Sequence, residues 1–355
     1  MSGHSGASSS LPPEFGRPHL PALDGLRAVA AVMMIAFNFP IAHVPGFGLT
    51  IFFVLSGFLI TWLMVAEQER TGAIDMPAFY RRRALRIVPP FYALLLLLTA
   101  VTLAKGRPLA WGHAASAFLF YTDFYHAWLG DPSTIFSGTW YLSITAQFYL
   151  LWPFAFRWLN RSPRLAVRRL AVIVLGFWVY RLVLVFGLRV PERYLFAAFD
   201  ARVDALLVGC LLAFALRTGR AGPLPALARA PWQAMVTILV MLAIYSGMDV
   251  WGSPYRDTVV RAALPPLTAV LIYQLVAQSG SRLWSWLESA PMRWLGRVSF
   301  GLCLFHGITA APLRRLLGGW PIAGQFVAVV AATAGVASVS YLLLERPFLR
   351  RGRAT

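Results

Sequence analysis

Phe47-Gly48-Leu49-Thr50-Ile51-Phe52-Phe53-Val54-Leu55-Ser56-Gly57-Phe58-Leu59-Ile60-Thr61-Trp62-Leu63-Met64-Val65-Ala66 runs without one charged side chain. A helix of about 20 apolar residues crosses the hydrocarbon core of a bilayer, whereas a membrane β-strand reads as ~10 residues of alternating polarity. The run is continuous rather than alternating, so it predicts a helix. Comparable stretches recur at roughly 27–45, 47–67, 89–104, 140–158, 170–188, 196–216, 232–248, 259–278, 296–312 and 322–343. The fold class that follows is an all-α integral membrane protein with about ten transmembrane helices. Composition agrees: only 13% of residues are charged, against ~25% in soluble domains.

The chain carries +18 net charge. In a soluble protein such an excess would suggest nucleic acid. Here the basic residues cluster between apolar stretches, as in Arg81-Arg82-Arg83 and Arg350-Arg351. Lys and Arg accumulate in cytoplasmic loops, so the lipid bilayer, and no nucleic acid, is the expected partner. With a cytoplasmic N-terminus and ten spans, the arginine-rich loops at 68–88, 159–169, 217–231 and 279–295 and the C-terminal tail all fall inside. The semi-polar stretch near 109–129, with His113, Asp123 and His126, would break that pattern as an eleventh span. It is therefore expected to be a re-entrant or lid-like segment on the outer side, covered by protein or facing a water-filled cavity. Residues 1–19 are rich in Ser, Gly and Pro and are expected to be a disordered tail without a signal peptide. Residues 20–350 form one transmembrane domain, and 351–355 a basic tail. The two cysteines, Cys210 and Cys303, both lie in apolar stretches; no disulfide or metal site is expected from them.

Ionisable groups inside a span are costly and point to function by default. Asp24 and Arg27 stand three apart, on one helical face, where they can pair. Arg202 and Asp204, two apart, do not face each other and must pair with other elements. His306 lies in the ninth span, and Glu345-Arg346 closes the last. Each also has a purely structural reading: helix-start pair, interhelical glue, satisfied buried histidine, terminal anchor. No metalloprotease, nucleophile-elbow, phosphate-loop or paired-carboxylate motif is present, and no internal repeat supports a transporter.

Four strings carry a family resemblance. They are Leu23-Asp24-Gly25-Leu26-Arg27-Ala28-Val29-Ala30, Ile51-Phe52-Phe53-Val54-Leu55-Ser56-Gly57-Phe58-Leu59-Ile60, Phe79-Tyr80-Arg81-Arg82-Arg83-Ala84-Leu85-Arg86-Ile87-Val88-Pro89, and Thr139-Trp140-Tyr141-Leu142-Ser143 with Gln147-Phe148-Tyr149-Leu150-Leu151-Trp152-Pro153. Weaker echoes follow at Arg202–Gly209, Leu295–His306 and Leu344-Glu345-Arg346-Pro347-Phe348. In this order, over about residues 20–350, the chain resembles the acyltransferase 3 family of bacterial membrane acyltransferases. The resemblance implies transfer of an acyl group, usually acetyl, from acyl-CoA (acetyl-CoA) to a hydroxyl-bearing acceptor. That acceptor would be a carbohydrate, glycolipid, polysaccharide or secondary metabolite, at the bacterial cytoplasmic (inner) membrane and without a metal. Arg83 and Arg86, one helical turn apart, with Arg82 assisting, are then expected to grip CoA phosphates from the cytoplasmic side, since guanidinium binds phosphate bidentately. Phe53 and Ser56 join the donor site. Asp24, Arg27, Trp140, Tyr141 and His306 are candidates for the reaction centre. Arg202, Asp204, Gln147, Tyr149, Glu345 and Arg346 are expected to support it.

Eleven residues after Arg27, about 16 Å along a helix and on the same face, the family has a histidine expected to deprotonate the acceptor. This chain has Asn38. A carboxamide is no base, and base catalysis is worth about 10²–10⁴-fold, so transfer is expected to be impaired. The family's glutamate near 145–146 is likewise absent, with Thr145 and Ala146 in its place. Three readings stay open: an enzyme deliberately inactivated at one position, a silent acyl-CoA or glycolipid binder, or a site rearranged around His43, His126 or His306.

Overall fold

The structure is a computed structural model that describes residues 12–17, 19–40, 45–132 and 134–348. Its helices are α1 (Pro21–Ala36), α2 (Pro45–Thr71), α3 (Met76–Ala104), α4 (Trp111–Phe118), α5 (Thr122–Leu129), α6 (Trp140–Asn160) and α7 (Pro163–Leu182). They continue with α8 (Glu192–Ala197), α9 (Phe199–Arg217), α10 (Trp232–Tyr255), α11 (Arg261–Ala277), α12 (Ala290–Arg297), α13 (Ser299–Leu316) and α14 (Ile322–Ser340). No strand occurs among the described residues. Each expected apolar stretch overlaps one helix of 16 to 29 residues. Among the described residues, five helical stretches are long and apolar enough to cross a membrane: Gly46–Thr71, Met76–Ala104, Pro163–Gly187, Trp232–Ala277 and Ile322–Phe348.

α2 is the central helix. Of its most apolar window 67% is buried inside the protein, against 22% in the α7 and α14 stretches, which turn their apolar surface outward. In lipid, apolar surface alone does not drive helices together; close packing through small residues does. Gly57 on α2 and Gly209 on α9 meet that need. A Cβ on Gly57 would lie 1.9 Å from the Leu206 carbonyl oxygen, and one on Gly209 would lie 2.0 Å from that of Val54. The Cys210 thiol fills the same crossing, 3.5 Å from the Gly57 carbonyl.

Helix starts and stops follow local chemistry. Asp75 caps α3 by accepting from the Ala78 amide at 2.9 Å, supplying one of the first-turn donors with a partner. α1 stops at Ala36, nine residues short of the expected end of its span. Pro40 explains this, because the residue before a proline is driven out of the helical region. Asn38 therefore sits in a turn beyond the helix, which corrects the expectation of one continuous helical face from Arg27 to position 38.

The 109–129 stretch is two helices of eight residues, α4 and α5. Eight residues rise about 12 Å, well short of the ~30 Å hydrocarbon core, so neither crosses it. Polar bonds knit the pair to its neighbours. The Tyr92 hydroxyl donates to the Phe118 carbonyl at 2.7 Å. The Thr122 amide donates to Ser143 at 3.2 Å, and the Thr139 hydroxyl to Thr122 at 2.9 Å. Gln147 donates to the Phe120 carbonyl at 3.0 Å and to Asp123 at 2.9 Å.

The expected disordered tail needs a correction at its end. Pro13–Gly16 forms a helical turn, and Phe15 is buried, stacked on Tyr273 at 5.5 Å and tilted against Trp62 at 5.7 Å. Arg17 adds a hydrogen bond to the Ser279 hydroxyl at 3.1 Å. Residues 1–11 and 351–355 lie outside the described residues.

Gly209→Val should force α2 and α9 apart at a cost of about 1–3 kcal/mol or more. The expected result is a melting temperature several degrees lower in detergent. Gly176→Ala, where a Cβ meets nothing within 4 Å, should melt like the parent; equal melting of the two variants would contradict this packing.

Candidate active site

One cavity of about 100 Å³ lies between α1, α2, α3, α6 and α13. Three arginines line it: Arg27, Arg83 and Arg86. With them are Phe53, Ser56, Tyr141, Thr145, Tyr149, Ser299 and Cys303. The sequence places Arg83 and Arg86 one turn apart on α3, and α3 delivers both to this wall. Arg27 feels the charges of Arg86 and Arg83. Its own counter-charge is Asp24, 3.3 Å away across one helical turn. Asp24 is shared with His19, whose Nε2 is 2.7 Å from it. Arg83 lies over the Tyr149 ring at 5.5 Å and the Phe79 ring at 5.9 Å, an arrangement that stabilises a guanidinium without neutralising it. Glu345 is buried near Arg86 and interacts electrostatically with it, yet one of its oxygens has no hydrogen-bond partner. Among the described residues, the lining has three guanidinium groups and no carboxylate of its own. Deeper in, the Tyr141 hydroxyl is buried without a partner. A buried phenol usually finds one, so a bound group can take that place.

The expected residues divide. Arg27, Phe53, Ser56, Arg83, Arg86 and Tyr141 come together on the cavity, and so does Tyr149, which was expected only as support. Arg82 turns away to pair with Glu67 at 2.9 Å. Trp140 packs on Phe196 at 4.7 Å instead of lining the cavity. The Asn38 side chain folds back to donate to the Ile35 carbonyl at 3.1 Å, and its own carbonyl accepts from Arg314; it is not part of the lining. His306 is not in the lining either. Its Nδ1–H donates to the Cys303 carbonyl at 2.6 Å, which leaves the lone pair of a neutral ring on Nε2. Glu345 and Arg346 do not act as a pair: the first is buried and the second exposed. His43 lies outside the described residues.

Thr145, Ser299 and Cys303 are the lining residues with a hydroxyl or thiol that sequence reasoning missed. Thr145 was visible only as a departure from an expected glutamate. Cys303 read as apolar filler, and only the tertiary fold brings it to the cavity.

Arg202 and Asp204 belong to a second polar cluster. Asp204 pairs with the buried Arg181 of α7 at 2.6 Å and accepts from Trp178 at 3.1 Å. Asp257 pairs with Arg256 at 2.8 Å and with Arg261 at 2.9 Å. Arg202 lies over the Phe53 ring at 5.8 Å, so it touches the cavity wall from behind. Asp204 thus pairs with another element, α7, whereas Arg202 has the Phe53 ring of α2 and the nearby charges of Asp204 and Asp257.

The family described as an acyltransferase domain matches residues 20–345. The chain belongs to this acyltransferase family. It is 28% identical over 363 residues to the peptidoglycan O-acetyltransferase OatA of Listeria monocytogenes, covering 95% of this chain and 57% of that protein. It is 26% identical over 364 residues to the O-acetyltransferase OatA of Staphylococcus aureus, covering 94% and 58%. The chain thus spans little more than half the length of these relatives. No solved structure matches it.

Asp204→Asn should leave Arg181 buried and unpaired, at about 3–5 kcal/mol. The expected result is loss of monodisperse protein in detergent. The double variant Arg181→Met with Asp204→Leu should recover it, because replacing both charges removes the penalty. Failure of the double variant to recover would show that the pair does more than neutralise itself.

Proposed function

We propose that this chain is a multi-pass O-acyltransferase that moves an acetyl group from acyl-CoA to a sugar hydroxyl. The observation that carries this reading is the convergence of Arg27, Arg83 and Arg86 on one cavity that continues to the unpartnered Tyr141 hydroxyl. A cavity of about 100 Å³ suits the thioester end of the donor, not the whole of CoA. The half-exposed Arg83 and Arg86 would hold the phosphates at its mouth, with Arg27 further along the pantetheine arm. In the reaction the acceptor oxygen attacks the thioester carbonyl, the carbon–sulfur bond breaks, and the proton lost by the hydroxyl ends on the departing CoA thiol. The names of the relatives suggest a peptidoglycan sugar as acceptor class.

The same reading places ten spans in the bacterial cytoplasmic membrane with both ends inside. α4 and α5 would then form an outer lid, and Arg83 and Arg86 would face the cytoplasm, where acyl-CoA is found. Asn38 would leave the acceptor without its base, so transfer would be slow. A second reading, a catalytically silent acyl-CoA binder, is favoured by one observation: among the described residues, no histidine or carboxylate lines the cavity.

Two measurements decide. Loss of a charge-assisted phosphate contact costs about 1.5–3 kcal/mol, or about 10–100-fold in affinity. Arg83→Ala and Arg86→Ala should weaken CoA binding by that factor and leave pantetheine binding unchanged; unchanged CoA affinity would remove the phosphate role. Asn38→His should raise acetyl transfer to a sugar acceptor by about 10²–10⁴-fold. Donor binding with no turnover by the histidine variant would favour the silent binder.

A further inference from the structure

His113 on α4 and His126 on α5 are thirteen residues apart in sequence, with no metal-ligand spacing to announce them. The fold brings their Nε2 atoms to 2.9 Å. Asp131, in the loop leading to α6, places a carboxylate oxygen 3.7 Å from the His126 Nε2. One ligand atom from each of the three lies within 4.8 Å of the others. Both rings are buried, whereas Asp131 is exposed, so the cluster has a dry interior and an opening to the surface.

The surroundings orient these groups. The His113 Nδ1 is 2.8 Å from the Thr134 hydroxyl oxygen, which also accepts from the Phe136 amide. With Nδ1–H donating to Thr134, the His113 lone pair sits on Nε2, toward His126; metal-bound histidines use this second hydrogen bond in the same way. Tyr125 stacks on the His113 ring at 5.0 Å and 10°. The Asp131 carboxylate is held by the Ser137 hydroxyl at 2.5 Å.

We propose that His113, His126 and Asp131 bind one zinc-class transition-metal ion, which clamps α4, α5 and the loop before α6 into one unit. Two imidazoles and a carboxylate form a recognised zinc donor set, with water as the fourth ligand. Tetrahedral bonds of about 2.0–2.1 Å put ligand nitrogens about 3.4 Å apart, so the rings need to part by only about 0.5 Å. The ion takes the place of the proton between the two Nε2 atoms, and that proton moves to the His126 Nδ1, so that each ring binds through Nε2 as a neutral imidazole. The clamp bears on the acyltransferase cavity because the loop runs into Thr139, Trp140 and the lining residue Tyr141. The resemblance implies no metal, and the proposal departs from it on the geometry of these three residues.

The test uses the full chain in detergent, purified without a polyhistidine tag and stripped with a chelator. Titration with Zn²⁺ by calorimetry, and with Co²⁺ by visible absorption, should show one ion per chain and the strong bands of four-coordinate cobalt. His126→Gln should abolish binding. Asp131→Asn, at an exposed position that leaves folding intact, should weaken it at least tenfold. Absence of stoichiometric binding, or equal binding by the parent and both variants, would overturn the proposal.

Discussion

Arg27, Arg83 and Arg86 share one cavity, and three like charges in a protein this apolar repel unless something holds them. The structure supplies only part of what is needed. Asp24 neutralises Arg27, the Tyr149 and Phe79 rings cushion Arg83, and the buried Glu345 faces Arg86 without a full set of partners. The cavity keeps an excess of positive charge. Phosphate would complete it, because guanidinium groups bind phosphate without losing their charge. The contrast with the Arg181–Asp204 and Arg261–Asp257 pairs is instructive. There each arginine has a carboxylate within 3 Å, and the cluster can serve as glue.

Helix packing makes the convergence possible. The Gly57–Gly209 crossing lets α2 and α9 approach backbone to backbone, which fixes α2 at the centre and turns Phe53 and Ser56 toward α3 and α6. Arg202 reaches the back of Phe53 from α9, so the second cluster braces the cavity wall. At the other side α6 is tied to α4 and α5 through Gln147, Ser143 and Thr139. Tyr141 is therefore positioned from two directions, by its own helix and by the small domain of short helices beside it.

Much of the helical architecture was legible in the sequence, because a run such as 47–66 has one physical solution in a bilayer. The cavity arginines were legible too: Arg83 and Arg86 sit one turn apart on a helix, and Arg27 sits one turn from Asp24. What the sequence hid were contacts between distant elements. Nothing local marks Cys303 or Ser299 as lining residues, and nothing links His113 with His126. Phe15 looked like part of an unstructured tail because its partners, Trp62 and Tyr273, are far away in the chain. Asn38 misled for a local reason: Pro40 ends α1 early, so a face drawn by helical arithmetic does not extend to position 38.

The most direct measurement of the central claim is an experimental structure with a non-hydrolysable acetyl-CoA analogue bound. The account predicts phosphate density against Arg83 and Arg86, with the acyl end lying between Tyr141, Thr145 and Cys303. Analogue density elsewhere on the protein, with the three-arginine cavity closed or empty, would contradict it.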